Sequence, residues 1–335
     1  VGIQPSNQIP KLTTDQIANL TSDQVASLTT ASLAVFSGNQ IAQLSTDALG
    51  AISTEGIALL STSQIVGLTT TQMASLSSSA FSTLNTKQIA ALETSDFVVL
   101  SVENIGLLTA FQTRGLTTAQ VSQLTTDAVA GLSTLAVAAL NTVQVASLST
   151  TQVASLNSIT VSALSTRQIA ALETRDVAVL TPDNLTIFSD AQIQALSTAQ
   201  IAALTTSQLD SLGSTLLSRL KASQLPGLIG VNLEDLSVLT PTQIAGYSTA
   251  QIAGLSTTAF LSLSSAVIAS LKTSQIAALN TAQVAALNED TLSALTPVQI
   301  GALETRDVAV LSTTNLAGLS SVQLRALKTT QLNAL

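Results

Sequence analysis

From Leu12 to Leu228 every eighth residue is leucine, apart from Phe36, Ile52 and Phe188. The seven residues between follow one scheme: two hydroxyl-bearing residues, a variable one, Gln, a large apolar residue, a small one and a variable one. Leu20-Thr21-Ser22-Asp23-Gln24-Val25-Ala26-Ser27 is typical. This array holds 27 octads, and a second in-phase array of 12 octads runs from Leu239 to Leu335. Between them residues 229–238 are irregular, so that one octad has become an eleven-residue unit, 228–238. Three residues are nearly one helical turn, so the unit is expected to lengthen a single helix and leave its neighbours in place. A uniform repeat of this kind makes residues 1–335 one repeat solenoid rather than several domains.

The phase of the pattern decides which element each octad forms. In one continuous helix eight residues at about 100° each would turn the leucine position by about 80° per octad, so no apolar stripe would persist. In a flat strand the first (Leu) and sixth (Ile or Val) positions have opposite parity, and one of the two would face solvent. A strand reading survives only as a bent β-solenoid. A short helix restarted in every octad uses all positions. Thr21 then caps the helix by accepting the backbone N–H of Gln24, while the Gln24 side chain returns to the N–H of Thr21, a capping box. Leu20 before the cap and Val25 at the fourth helical position form the accompanying hydrophobic staple. The predicted fold is all-α: an elongated solenoid of very short capped helices, one per octapeptide.

The sixth position is large and apolar (Ile17, Val25, Leu33, Ile41, Met73, Phe81), with Thr113 an exception, and the seventh is mostly small (Ala18, Ala26, Ala34, Ala42, Ala74, Ala90). These two positions are expected to line the interior. The fourth varies among Asp15, Ala31, Asn39, Ser63, Lys87 and Arg167, as an exposed position would. A six-residue helix is about 9 Å long and does not persist alone in water, so stability has to come from stacking. Two or three octads per coil both satisfy the pattern, giving rods of order 200 or 120 Å.

Composition narrows the function. Mean hydropathy is positive (+0.49), yet Thr, Ser and Gln interrupt every octad and no run approaches the roughly 18 to 20 apolar residues of a membrane helix. Charged residues are only 9% of the chain, with a net charge of −8, which argues against nucleic acid or an anionic membrane surface as a partner. Lys87, Arg114, Arg167, Arg219 and Lys221 are scattered and read as a solvated edge. Cys, His and Trp are absent, so thiol chemistry, Cys/His metal sites and histidine acid–base catalysis are ruled out. No GxSxG, Walker or GxGxxG motif occurs. The chain is not expected to be an enzyme, and no catalytic, cofactor-binding or metal-binding residue, cofactor or small-molecule substrate is assigned. It opens at Val1 without Met, as expected of a mature product or a fragment.

A longer repetition overlies the octads. Asn85 to Asp96, Ser165 to Asp176 and Thr296 to Asp307 are similar tracts, each with a Glu then an Asp (Glu93 and Asp96, Glu173 and Asp176, Glu304 and Asp307), and with Asn104, Asn184 or Asn315 eight residues after the Asp. No EF-hand loop or Gly-Asp nonapeptide accompanies these carboxylates. The Asp is read as a helix N-terminal residue with Arg175 and Arg306 as neighbours able to pair with it, and the recurring Gln as a cap rather than a ligand.

Tracts such as Leu196 to Leu209 resemble the L-T-T-x-Q-I-A-x repeats of very large secreted bacterial surface proteins of adhesin type. The resemblance implies export and an extracellular or cell-surface address. The expected role is a structural spacer or stalk whose partners are neighbouring domains of a longer chain. The alternative is a self-associating subunit of a filament, sheath or surface layer. Apolar fourth-position residues Phe111, Leu135, Val143 and Ile159 lie in mid-chain as a candidate lateral patch.

Overall fold

The computed structural model describes residues 8–228 and 235–335. Among these residues the chain forms 37 short α-helices and two 3-10 helices, with no strand. The helical reading of the octad therefore holds over the bent-strand one. Nearly all the helices span four to six residues and begin at the third position of an octad.

The capping chemistry explains why each helix starts where it does. The Gln24 backbone N–H donates to Thr21 Oγ1 at 3.3 Å and the Thr21 N–H to Gln24 Oε1 at 2.9 Å. The same reciprocal pair closes at Ser37 and Gln40, Thr69 and Gln72, Ser165 and Gln168, and Thr296 and Gln299. Where the next leucine is itself the C-cap it is extended (Leu76, φ −66, ψ 126), which ends the helix before the next cap.

The chain divides into two compact units, Val1–Leu180 and Thr181–Leu335. In the first, helix Thr46–Gly50 packs on Thr70–Ser75, which packs on Thr94–Val99. In the second, Thr257–Ser262 packs on Thr281–Ala285, which packs on Thr305–Val308. A coil is therefore three octads, and each unit is a solenoid of such coils. Within the first unit Leu12, Leu20 and Leu28 of the first described coil are half-buried, whereas Ile17 and Val25 are buried. In the last coil of the second unit the order reverses: Leu319 and Leu327 are buried, while Leu324 and Leu332 are exposed. The first-position leucine thus packs toward the preceding coil and the sixth-position residue toward the following one.

The interior pair differs from the expected one. The seventh-position alanines Ala18, Ala26, Ala34, Ala74 and Ala90 are exposed, and the fifth-position glutamines are buried beside the sixth-position aliphatics. The two inward positions are adjacent on the helix, and the next residue, about 100° further round, leaves the core. Close approach between coils falls instead on the eighth position. A Cβ on Gly67 would lie 2.4 Å from the carbonyl oxygen of Gly38 in the coil below, and one on Gly115 would lie 2.8 Å from that of Thr86.

One element of the second unit departs from the rule. Helix Thr206–Arg219 spans two octads with a break at Gly213 (φ 46, ψ −139), the only positive φ among the described residues. Gly213 stands where Ser or Thr normally caps, so the second octad begins without a hydroxyl, in a backbone conformation that suits glycine.

Candidate functional site

The most built feature of the surface between coils is the side-chain amide of the fifth-position glutamine, at the third residue of each helix. Its Oε1 completes its own helix cap, as expected, and its Nε2 points to the coil below. Gln88 Nε2 donates to the carbonyl oxygens of Ile57 (3.1 Å) and Leu60 (2.9 Å), 31 and 28 residues earlier. Gln120 reaches Ile89 and Leu92, Gln152 reaches Val121 and Leu124, and Gln283 reaches Ile252 and Leu255 with the same two offsets. The nearer acceptor is the carbonyl of the first-position leucine that follows a helix, and the farther one, close to the helix end, also accepts that leucine's own N–H, as Ile57 does from Leu60 at 3.2 Å. One amide therefore satisfies the cap N–H of its own helix and the carbonyl of the leucine that follows another.

Burial follows this second role. Gln64, Gln72, Gln88 and Gln168 are 1–2% exposed, whereas Gln16, in the first described coil of the first unit, is exposed and Gln24 half-buried. A glutamine amide is desolvated only where carbonyls below receive it.

The clasp also measures register. Gln243 Nε2 donates to Leu217 at 2.7 Å and Leu220 at 2.9 Å, 26 and 23 residues back, and Gln251 to Leu225, 26 back. Both offsets are five residues short. Seen along the sequence, unit 228–238 is an octad with three residues too many. Seen through the clasp, the residues on either side of it pair five residues short of the offset found elsewhere. The longer helix expected here falls on residues 229–234, which lie outside the described residues. Beyond them Ser237 and Val238 form a turn, and Leu236, fully buried, donates its N–H to Ser262 Oγ at 2.7 Å.

One of the scattered cations, Arg219, joins the same system rather than a solvated edge, whereas Lys221 stays exposed. Leu216 occupies the glutamine position of its octad, and Arg219 takes over: its guanidinium donates to the Phe188 carbonyl and pairs with Asp190 at 2.7 Å, its side chain 15% exposed. Lys221 Nζ donates to the Gln194 carbonyl at 3.2 Å. Lys272 Nζ does the same to Ala245 at 2.7 Å. Arg114 instead lies over the Phe111 ring, 5.9 Å from its centre.

The acidic blocks are variants of the clasp. Asp96, Asp176 and Asp307 replace Gln, and Oδ2 of each accepts the N–H of the preceding Glu at 2.9, 3.0 and 3.3 Å. Arg175 pairs with Glu173 at 2.7 Å rather than with Asp176, while Arg306 lies 2.8 Å from Glu304 and 3.7 Å from Asp307. Burial pushes all three Asp carboxyls above the usual aspartate range against the lowering effect of the N–H they accept. Asn104 and Asn315 also stand at the Gln position and donate Nδ2 to Leu76 (3.3 Å) and Leu287 (2.8 Å), again 28 residues back. Among the described residues no group of three or more acidic side chains is placed to hold a metal ion. Burial also pushes the Tyr247 phenol up to about 12.

The apolar fourth-position residues separate. Phe111, Leu135 and Ile159 are 72, 73 and 66% exposed and belong to helices Ala110–Gly115, Thr134–Ala139 and Ser158–Ser162, stacked on one another. They form a ladder up one side of the first unit. Val143, 65% exposed, stands in the next octad of the coil and so on the neighbouring side.

The family model for the ALTTAQ repeat matches five stretches, residues 6–30, 41–78, 89–126, 260–289 and 300–335, so repeats of this kind occur in both units. No curated protein matches the chain. Among solved structures, the leucine-rich repeat-containing protein LegL7 from Legionella pneumophila is similar over 64% of this chain and 79% of its own length, at 13% identity and a TM-score of 0.21.

Proposed function

We propose that this chain is a non-catalytic structural spacer, a stalk segment of a very large secreted or surface-attached bacterial protein of adhesin type. The observation that carries the reading is the clasp. Polar side chains at the interior position hold one coil to the next, so the repeated chemistry serves extension of the stack. Its partners on this reading are the neighbouring domains of a longer chain. No helix among the described residues is long and apolar enough to cross a membrane. The extracellular address rests on the resemblance of the octads to surface-protein repeats.

Solution scattering with mass determination at several concentrations tests the reading. Chains shortened by whole coils should remain monomeric and lose about 9 to 10 Å of maximum dimension per coil removed. A dimension that does not change with coil number defeats the spacer. Protease accessibility of the chain on intact cells tests the address.

A second reading, a self-associating subunit of an extracellular filament, sheath or surface layer, is favoured by the ladder of Phe111, Leu135 and Ile159. Mass that grows with protein concentration and is lost when these residues are made polar would select it.

A further inference from the structure

We propose that Asp96, Asp176 and Asp307 are carried as carboxylic acids in the folded chain, each donating the proton on Oδ1 to the coil below, so that these three joints are strengthened by acid. Where Gln has a donor to send downward, an ionised Asp has only a second acceptor. Oδ1 of Asp176 and of Asp307 is buried without a hydrogen-bond partner, although that of Asp307 has the Arg306 guanidinium 3.7 Å away, and the three residues are 0–1% exposed. The register of the clasp sets the carbonyls of Leu68, Leu148 and Leu279, 28 residues earlier, as the facing groups. Asn104 and Asn315, of the same length and in the same position, do donate to the carbonyl 28 residues back. A proton on Oδ1 gives Asp the donor that Nδ2 gives Asn, and removing it leaves a buried charge facing carbonyl dipoles.

The surroundings set the ranking among the three. Around Asp96 the helices below and above, Thr70–Ser75 and Thr118–Gln123, hold no ionisable group, and only Glu93 is near. Asp176 has Glu173 and Arg175 beside it and no ionisable group in Thr150–Ala154 below. Asp307 has Glu304 and Arg306 beside it, none in Thr281–Ala285 below, and Lys328 as the cap of helix Thr329–Leu332 above. Asp96, with no cation near, should hold its proton to the highest pH. A folded-state pKa above the unfolded one means the folded chain binds more protons. The contribution is complete below the unfolded value and disappears as pH rises through the folded one.

The experiment has two arms on the whole chain. Carboxyl carbon NMR of protein labelled at Asp should show three carboxyls titrating above the others, Asp96 highest. Thermal melting from about pH 4 to about pH 8 should be compared between the natural chain and D96N/D176N/D307N. The natural chain should lose several degrees toward the alkaline side, whereas the triple variant should lose that component and melt higher only there. Three carboxyls titrating with the surface aspartates would overturn the proposal, and this readout needs no variant to fold. Parallel melting profiles for the two chains would also overturn it.

Discussion

Gln72 Nε2 lies 2.7 Å from the carbonyl oxygen of Leu44, 28 residues earlier, while Oε1 of the same amide accepts the N–H of Thr69 at 2.9 Å. A single planar group thus starts one helix and finishes another in the adjacent coil. Thr or Ser alone could cap the helix, and Asp or Glu could accept the cap N–H, but an amide of this length offers an acceptor and a donor in the two directions required without taking up a proton.

The first prediction follows from where that amide is buried. Gln88→Ala leaves the Asn85 N–H and the Leu60 carbonyl without their partner in the interior, while the Ile57 carbonyl keeps the N–H of Leu60, and should cost about 1 to 3 kcal/mol. Gln16→Ala removes only the exposed cap bond and should cost about 0.5 to 1 kcal/mol. Denaturant melts of the two variants, with amide exchange of the acceptor coil, measure the difference. Equal losses would show that the downward bond contributes nothing.

Arg219→Ala should behave like a clasp variant although it is not a glutamine. It strips the Phe188 carbonyl and Asp190 of their partner, for an expected loss of about 1 to 3 kcal/mol. Exchange protection should fall around Phe188 and Asp190 first, and Arg219→Lys should restore only part of it because the fork that reaches two acceptors is lost.

The glycines make opposite predictions. Gly67→Ala places a Cβ against Gly38 backbone and should destabilise by about 1 to 3 kcal/mol through overpacking. Gly50, at the end of helix Thr46–Gly50, has nothing within 4 Å of an added Cβ, and Gly50→Ala should be neutral or stabilising by up to about 1 kcal/mol. Thermal melts of both variants check the pair.

Replacing Phe111, Leu135 and Ile159 together by Ser should change stability little, within about 0.5 kcal/mol per site, because these side chains are largely in solvent. Sedimentation at increasing concentration is the informative measurement. A loss of association without a loss of melting temperature would assign the ladder to contacts between molecules.

The capping box was legible in the sequence because its partners are three residues apart and both are side chains of restricted type. The downward bond was not. Its acceptors are backbone carbonyls 28 and 31 residues away, and a carbonyl carries no residue identity to recur in a pattern. Coil count was hidden for the same reason, and without it Phe111, Leu135 and Ile159 could be called a cluster but not separated from Val143. The alanines misled because small residues suit a tight interface, yet the seventh position is exposed and the buried neighbour of Ile65 or Ile89 is the glutamine. Arg219 could have been suspected from Leu216, an apolar residue in a polar slot, which leaves an acceptor for some other donor to serve.

The equivalence of the three octads in a coil bears on how such a chain grows. Asp96 and Asp176 mark two copies of one tract, 80 residues apart, which is three coils and one octad, so the copies lie on neighbouring sides of the first unit. An inserted tract of any whole number of octads finds glutamines and carbonyls in step wherever it lands, and only its outward-facing residues are turned to a new side, unless it lands a multiple of three octads away. Copying errors of octad length are therefore structurally silent in the interior and inventive at the surface, whereas a length that is not a multiple of eight shifts the offset of the clasp, as happens between Gln243 and Leu217.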